Sequence, residues 1–295
     1  MSKSAILKSS VVKKYWMALT GLFLCLFLIG HLLGNLQLLE TGEEGRRAFN
    51  EYAYFMTHNP AIIVLSLLTY FSILFHAIDG ILLTIKSKKA RPVKYVYSKP
   101  NVYSSWTSRN MALLGSIILL FIAVHMSSFW YKSRVAGPIK LHVVQVKSQQ
   151  DPSKVDSYYL THTGAYLPVE DENTPEAMRQ LVIKHRTDIY SKAEDLKVAE
   201  GYQDLHSLVL GYFGNTSVAK YGFPVNSMAW AAVLFYVLCM AALSFHLYHG
   251  FQSAFQSIGI RRGNYKNLIV KIGQVYAIVV PALFAIIPIY IYFTR

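Results

Sequence analysis

Apolar residues along this 295-residue chain fall into five long blocks. The blocks lie near residues 15–39, 60–85, 110–131, 226–256 and 268–293. Each block reaches or approaches the roughly 20 apolar residues that cross a hydrocarbon core of about 30 Å. The pattern therefore predicts a membrane protein with five transmembrane helices, which we number spans 1 to 5 in chain order.

The polar residues between spans 3 and 4 form the only segment long enough for a soluble subdomain. "IKLHVVQVK" at 139–147 alternates as a β-strand does, and "TPEAMRQLVIKHRTDIYSKAEDLKV" at 174–198 opens with a helix-start signal and continues with helical spacing. We therefore expect a small α+β insertion over 136–225, with three spans before it in 1–135 and two after it in 226–295.

Basic residues are concentrated in three segments that contain no acidic residue, 1–14, 86–109 and 257–271. By the positive-inside rule these segments face the cytoplasm, so the N-terminus lies inside and the C-terminus outside. The outer side then carries the insertion and a short charged loop between spans 1 and 2. Because topology accounts for the net charge of +13, the charge does not indicate nucleic acid as a partner.

Five of the ten histidines lie within the predicted spans, namely His31, His76, His125, His246 and His249. Helix rise places His31 of span 1 and His125 of span 3 about 10–14 Å below the outer surface. His76 of span 2 and His246 of span 4 lie roughly 24–30 Å below it. These four residues form two pairs at two depths, which we call the outer pair and the inner pair.

Two histidine pairs at different depths in a four-helix bundle are the ligand set of two b-type haems. A zinc site would gather three or four ligands at one level. A proton relay would interleave carboxylates, and Asp79 is the only acid within the spans. The two cysteines, Cys25 and Cys239, form no covalent haem or iron–sulfur motif. For any single histidine, a role in helix packing is an equally good interpretation.

Glycines repeat at fixed distances from the paired histidines. On spans 1 and 3 a glycine, Gly21 or Gly115, precedes the histidine by ten residues. On spans 2 and 4 a glycine, Gly80 or Gly250, follows the histidine by four. The missing side chains would let a macrocycle approach a helix closely, although small-residue helix packing explains glycines too. The same repeat selects His246, not His249, as the ligand on span 4.

Four stretches of the chain resemble a known family. They are "TGLFLCLFLIGH" (20–31), "FHAIDG" (75–80), "LLGSIILLFIAVH" (113–125) and "FHLYHGFQSAFQSIG" (245–259). With the five-span layout they resemble the diheme cytochrome b membrane-anchor subunit of succinate:quinone oxidoreductases, the succinate dehydrogenases and fumarate reductases. The resemblance implies an all-α membrane protein in which four of the five helices form a haem-binding bundle.

The resemblance also implies roles for individual residues and partners. His31 and His125 would bind the iron of the distal haem, and His76 and His246 that of the proximal haem. Electrons would pass through two haems b between a cytoplasmic iron–sulfur subunit and menaquinone or another quinone. A partner flavoprotein would interconvert succinate and fumarate, so the chain would serve an enzyme of the respiratory chain and tricarboxylic acid cycle in a bacterial inner membrane.

The chain departs from the family at two places. Some fumarate reductases carry a glutamate two residues before the fourth haem ligand, where this chain has Ser244, so transmembrane proton transfer by that route is not expected. The segment 136–200 also exceeds the short outer loop of the family.

The quinone site has two candidate residues, Glu51 and His58, at the outer end of span 2. Quinone chemistry needs a group that handles protons beside the distal haem, although a solvated acid and a capping histidine are equally good interpretations. Two other functions remain open. One is the cytochrome b subunit of a formate dehydrogenase or hydrogenase, and the other is a proton or cation transporter lined by the same four histidines.

Overall fold

The computed structural model describes residues 10–90, 105–148, 153–170, 175, 178–215, 223–260 and 265–295. This part of the chain is mostly helical, with two small sheets. Five helices within it are long and apolar enough to cross a membrane, which confirms the predicted number of spans. The three basic segments, predicted to be cytoplasmic, lie partly outside the described residues.

The main helices are α1 (Ser10–Leu36), α2 (Gly42–His58), α3 (Pro60–Lys89), α4 (Met111–His125), α5 (Leu205–Phe213), α6 (Ala229–Ser257) and α7 (Lys266–Thr294). Span 1 is α1 with a following 3₁₀ turn, and span 3 is α4 with its continuation to Arg134. Proline begins α3, where its missing N–H costs no helical hydrogen bond. Lysines occupy the last turn of α3, where cations stabilise the negative end of the helix dipole.

The segment between spans 1 and 2 is a helix, α2, and not the short loop that we expected. Glu43 and Glu44 lie in its first turn, where negative charge is favoured. Arg46 and Asn50 are buried on one face although both are polar. The expectation was wrong because the segment is rich in charged residues, and the residues that α2 buries fully include the polar Arg46 and Asn50.

The insertion contains two antiparallel three-stranded sheets and α5. The strands are β1 (Val143–Lys147), β2 (Val155–Leu160) and β3 (Tyr166–Pro168) in one sheet, and β4 (Leu181–Lys184), β5 (Asp188–Ser191) and β6 (Leu196–Glu200) in the other. The strand expected within 139–147 is confirmed. The helix expected over 174–198 is wrong, because that region contains β4, β5 and most of β6.

Two turns explain why this region forms strands. His185 and Arg186, between β4 and β5, have φ of 46° and 76°, and Asp195, before β6, has φ of 51°. These left-handed conformations reverse the chain and end any helix. The β-branched residues Val182 and Ile189 favour the pleated strands that result.

The chain divides into two compact units. Residues 1–35, 60–123 and 233–288 form the first, which we call the helical unit, and residues 36–59, 124–232 and 289–295 form the second, the mixed unit. The division into 1–135, 136–225 and 226–295 stays a prediction. The core of the helical unit includes Cys239, Met240, Leu243 and Leu247 of α6 with Ala277 of α7. This core supports α6, which carries His246.

Candidate functional site

The inner histidines, His76 on α3 and His246 on α6, face each other within the helical unit. Their ring centroids are 6.2 Å apart and the ring planes are inclined by 65°. The two residues are 170 positions apart along the chain. The fold thus brings together the two residues that the sequence paired by depth.

Thr20 on α1 orients the ring of His76. Its hydroxyl donates to the carbonyl oxygen of Trp16 at 3.0 Å, and its Oγ1 lies 3.3 Å from Nδ1 of His76. Because the hydroxyl proton is donated to Trp16, the oxygen of Thr20 accepts a hydrogen bond from Nδ1–H of His76. The lone pair of His76 then lies on Nε2, which is the tautomer that can bind a metal. Sequence reasoning missed Thr20, although its position directly before Gly21 is a usable signal.

Two glycines flank the inner histidines. A Cβ atom added at Gly21 would lie 3.1 Å from Cε1 of His76, and one added at Gly115 would lie 3.7 Å from Cε1 of His246. The distance at Gly21 is shorter than an ordinary van der Waals contact, whereas the distance at Gly115 is an ordinary contact distance. Each glycine therefore lets a helix that carries no inner histidine approach an imidazole.

The glycines of α3 and α6 have equivalent neighbours. A Cβ added at Gly80 would lie 3.9 Å from Cε of Met17, and one added at Gly250 would lie 4.0 Å from Cε of Met111. Each methionine precedes Gly21 or Gly115 by four residues. The sequence repeat is therefore also a repeat of contacts, in which α1 and α3 correspond to α4 and α6.

The separation of the inner pair suits two imidazole ligands of one metal ion. A ligand nitrogen lies about 2 Å from a metal and about 1 Å from the centroid of its imidazole ring, so two axial imidazoles place their centroids about 6 Å apart. The observed 6.2 Å agrees with this separation. Nδ1 of His246 is buried and has no hydrogen-bond partner among the described residues, so this imidazole retains unused binding capacity.

No larger cluster of ligands is found in the described ranges. Groups of three or more His, Cys, Asp or Glu side chains that could hold a metal ion are absent there. A bis-histidine haem requires only two protein ligands, since the porphyrin supplies the other four. The donor set of His76 and His246 is thus chemically suited to haem.

His31 lies in the helical unit, near the C-terminal end of α1. Its ring stacks on Phe27 with centroids 5.3 Å apart and lies 5.7 Å from the ring of Phe284 on α7. Asn35 donates to the carbonyl oxygen of His31 at 2.8 Å, and its amide nitrogen lies 3.5 Å from Nδ1. An imidazole held between aromatic rings and an amide has a restricted orientation, as an axial ligand requires.

His125 lies in the mixed unit, as the last residue of α4. A π-helical segment, Met126–Tyr131, follows it directly. Such segments are rare and often occur at functional sites. Phe129 in this segment contacts the ring of His125 at 5.4 Å and packs against Tyr212 and Phe213 of α5. The pairing of His125 with His31 stays a prediction.

The two candidate quinone residues lie on α2, which is separate from span 2. Oε1 of Glu51 accepts from Nε of the exposed Arg47 at 2.6 Å. The ring of His58 stacks on Tyr54 at 3.9 Å, and its Nε2 lies 3.5 Å from Oε1 of Glu200 on β6. Burial, followed by the charge of Glu200, raises the pKa of Tyr54 to about 12. The role of Glu51 and His58 at a quinone site stays a prediction.

A buried polar cluster in the mixed unit was not expected from the sequence. Arg46 on α2 donates to Oδ2 of Asp204 at 2.6 and 3.1 Å, and Asn50 donates to Oδ1 of Asp204 at 2.9 Å. Nδ1 of His142 lies 3.0 Å from Nδ2 of Asn50, and its Nε2 lies 2.5 Å from Oε1 of Glu43. The cluster fixes α2 to the insertion.

Charge compensation sets the ionisation of this cluster. Burial alone raises the pKa of Asp204, but the hydrogen bonds and charge of Arg46 outweigh burial and lower it. The pKa of Glu43 is likewise lowered, because His142 and Arg46 outweigh its partial burial. Both acids therefore remain ionised at neutral pH. No pattern within a short stretch of sequence could predict the cluster, since Arg46 and Asp204 are 158 residues apart.

Comparisons with known proteins find no match for the chain among family models, curated proteins or solved structures. The function must therefore be argued from the residues themselves.

Proposed function

We propose that the chain is the membrane-anchor cytochrome b subunit of a succinate:quinone oxidoreductase. It would bind two b-type haems and carry electrons between a cytoplasmic iron–sulfur subunit and quinone in the membrane. The interconversion of succinate and fumarate would take place on a partner flavoprotein. This role is the one that the sequence resemblance implies, and the inner histidine pair is the observation that supports it most directly.

The inner pair supports the proposal through its separation, its tautomer and its setting. Centroids 6.2 Å apart match two axial ligands of one iron. The hydrogen bond from His76 to Thr20 leaves Nε2 available as a ligand. Gly21 and Gly115 let α1 and α4 approach the two rings closely. A haem bound by this pair would supply a one-electron carrier within the membrane.

The chain's own residues would set the properties of that carrier. His76 and His246 hold it between α3 and α6, and Thr20 fixes the ring orientation of His76. Leu243 and Leu247, on either side of His246 along α6, belong to the apolar core and make its surroundings less polar. Proteins tune a haem potential through the polarity of its surroundings and through hydrogen bonds to its ligands.

His31 and His125 would hold the second haem nearer the outer surface. Both carry the glycine ten residues upstream that the repeat requires. Aromatic neighbours restrict the ring of each, Phe27 for His31 and Phe129 for His125. The inner and outer carriers would then relay electrons across the membrane in two steps.

The experiment is a redox titration of the purified complex with single histidine variants. We expect His76→Ala to abolish or perturb the inner haem only, and His31→Ala the outer haem only, because each removes one axial ligand. His185→Ala, on an exposed turn of the insertion, is the control and should keep both haems. Reduction of the haems by succinate distinguishes the proposal from a formate- or hydrogen-linked cytochrome.

Two results would contradict the proposal. A wild type that carries a single haem, which every ligand variant loses, would remove the two-pair assignment. A colourless wild-type protein with no Soret band would instead favour the transporter interpretation.

A further inference from the structure

Arg186, in the turn between β4 and β5, has a left-handed backbone conformation. Its φ is 76°, and that of the preceding residue, His185, is 46°. This conformation costs free energy for a residue with a Cβ atom, whereas glycine adopts it without that cost. Strained residues persist where the surrounding structure imposes them, and they are often associated with function. The side chain of Arg186 accordingly makes contacts that a glycine could not make.

The guanidinium of Arg186 binds the C-terminal end of span 3. Its Nη1 donates to the carbonyl oxygen of Ser133 at 2.7 Å and to that of Gly137 at 3.4 Å. Ser133 lies in the final turn of the helix, Lys132–Arg134, where carbonyl groups lack a helical N–H partner. A cation is favoured at this negative end of the helix dipole, and its charge strengthens the hydrogen bond. The turn between β4 and β5 is thus attached to the end of span 3.

The attached end of span 3 is hydrogen-bonded to the π-helical segment Met126–Tyr131. Oγ of Ser133 donates to the carbonyl oxygen of Trp130, inside that segment, at 3.0 Å. The backbone N–H of Ala136 donates to the carbonyl oxygen of Tyr131 at 2.9 Å. This second bond spans five residues, as π-helical hydrogen bonds do. The carbonyl group that the guanidinium binds therefore belongs to the same hydrogen-bonded unit as the π-helical segment.

The π-helical segment sets the direction of the His125 ring relative to the end of span 3. A π-helical turn contains one residue more than an α-helical turn, so its conversion to α-helix would rotate the flanking segments by about 100° relative to each other. His125 directly precedes the segment, and its ring contacts Phe129 within it at 5.4 Å. A rotation of this size would point the imidazole in another direction.

We propose that Arg186 is a positioning residue, which clamps the end of span 3 and so maintains the π-helical register that orients His125. The packing of Phe129 on Tyr212 and Phe213 of α5 holds the same segment from its side. The proposal assigns a role to the insertion, which the family resemblance leaves unexplained. It rests on the proposed function in one respect, since His125 is there a ligand of the outer haem.

The test compares two glycine substitutions at neighbouring left-handed positions in the full complex. Arg186→Gly removes the guanidinium and also relieves the backbone strain, so the turn retains its ability to fold. His185→Gly is the matched control, because it relieves the same kind of strain and its side chain, 77% exposed, faces Asp188 at 3.4 Å. Arg186→Lys keeps a charged donor for the carbonyl group of Ser133 and should restore the wild-type behaviour.

Amide hydrogen exchange over residues 126–136 measures the clamp without any contribution from haem. We expect exchange there to be about tenfold faster in Arg186→Gly than in the wild type, because a charge-assisted hydrogen bond to the segment is lost. His185→Gly and Arg186→Lys should exchange at rates close to that of the wild type. Exchange at the wild-type rate in Arg186→Gly would overturn the proposal.

Electron paramagnetic resonance of the low-spin haems reports the orientation of their axial imidazoles. Arg186→Gly should shift the signal of the outer haem and leave that of the inner haem unchanged, and both control variants should retain the two wild-type signals. Faster exchange with an unchanged outer-haem signal would overturn the proposal, because the clamp would then not orient His125. A wild type without haem would contradict the proposed function, whereas the exchange rates would still decide whether Arg186 clamps the segment.

Discussion

Gly21 and Gly115 are equivalent in the sequence repeat but have different amounts of space beside them. An added Cβ would lie 3.1 Å from the ring of His76 at Gly21, and 3.7 Å from the ring of His246 at Gly115. The ring of His76 has little freedom to move, because Thr20 holds its Nδ1. The two positions therefore form a matched pair for testing how closely a helix approaches the inner site.

Gly21→Ala is expected to displace the ring of His76, at a cost of about 1–3 kcal/mol that is typical of overpacking. Gly115→Ala is expected to be tolerated, since its new methyl group would make an ordinary contact. The low-spin signal of the inner haem in electron paramagnetic resonance measures the displacement. A larger change in Gly115→Ala than in Gly21→Ala would contradict the contact geometry.

His246 and His249 compete as the ligand on α6, since they are three residues apart. The ring of His246 faces His76. This contact and the glycine repeat both favour His246 as the ligand. His246→Ala should lose or severely perturb the inner haem, whereas His249→Ala should keep a bis-histidine spectrum. The absorption spectrum of the reduced protein checks this, and the opposite outcome would exclude His246.

At the scale of elements, the membrane helices were predictable and the insertion was only partly so. A span must satisfy its backbone hydrogen bonds internally and be apolar along about 20 residues, so hydropathy reveals it. The turn at His185 and Arg186 uses left-handed residues that are not glycine, and no sequence signal marks it. Helix α2 escaped prediction because its sequence is rich in charged residues and its partner Asp204 is distant in sequence.

The buried pair of Arg46 and Asp204 should dominate the attachment of α2 to the insertion. Arg46→Met leaves the buried carboxylate of Asp204 without its cation, so we expect a loss of about 3–5 kcal/mol in the stability of the mixed unit. Arg47→Met breaks only the exposed pair with Glu51 and should change stability by about 0.5 kcal/mol or less. Thermal unfolding combined with limited proteolysis of the insertion measures both changes. Equal stability of the two variants would contradict a structural role for the buried cluster.

At the scale of the whole molecule, the inner histidine pair was predictable from the sequence to a useful extent. Depth and the glycine repeat selected His76 and His246, and the fold brings these two rings together. Thr20 was missed although it directly precedes Gly21, and the cluster around Arg46 was not predictable, because Arg46 and Asp204 are 158 residues apart. The membrane-anchor role rests on the two histidine pairs, and the inner pair is the better supported of them.

The most direct test of this account is the haem content of the purified wild-type subunit. The chain has no covalent haem motif, so acid–acetone extraction followed by the pyridine haemochromogen assay should recover all of its haem. We predict two extractable haems b for each polypeptide, both low-spin with bis-histidine ligation. A value of one haem or none would contradict the central claim.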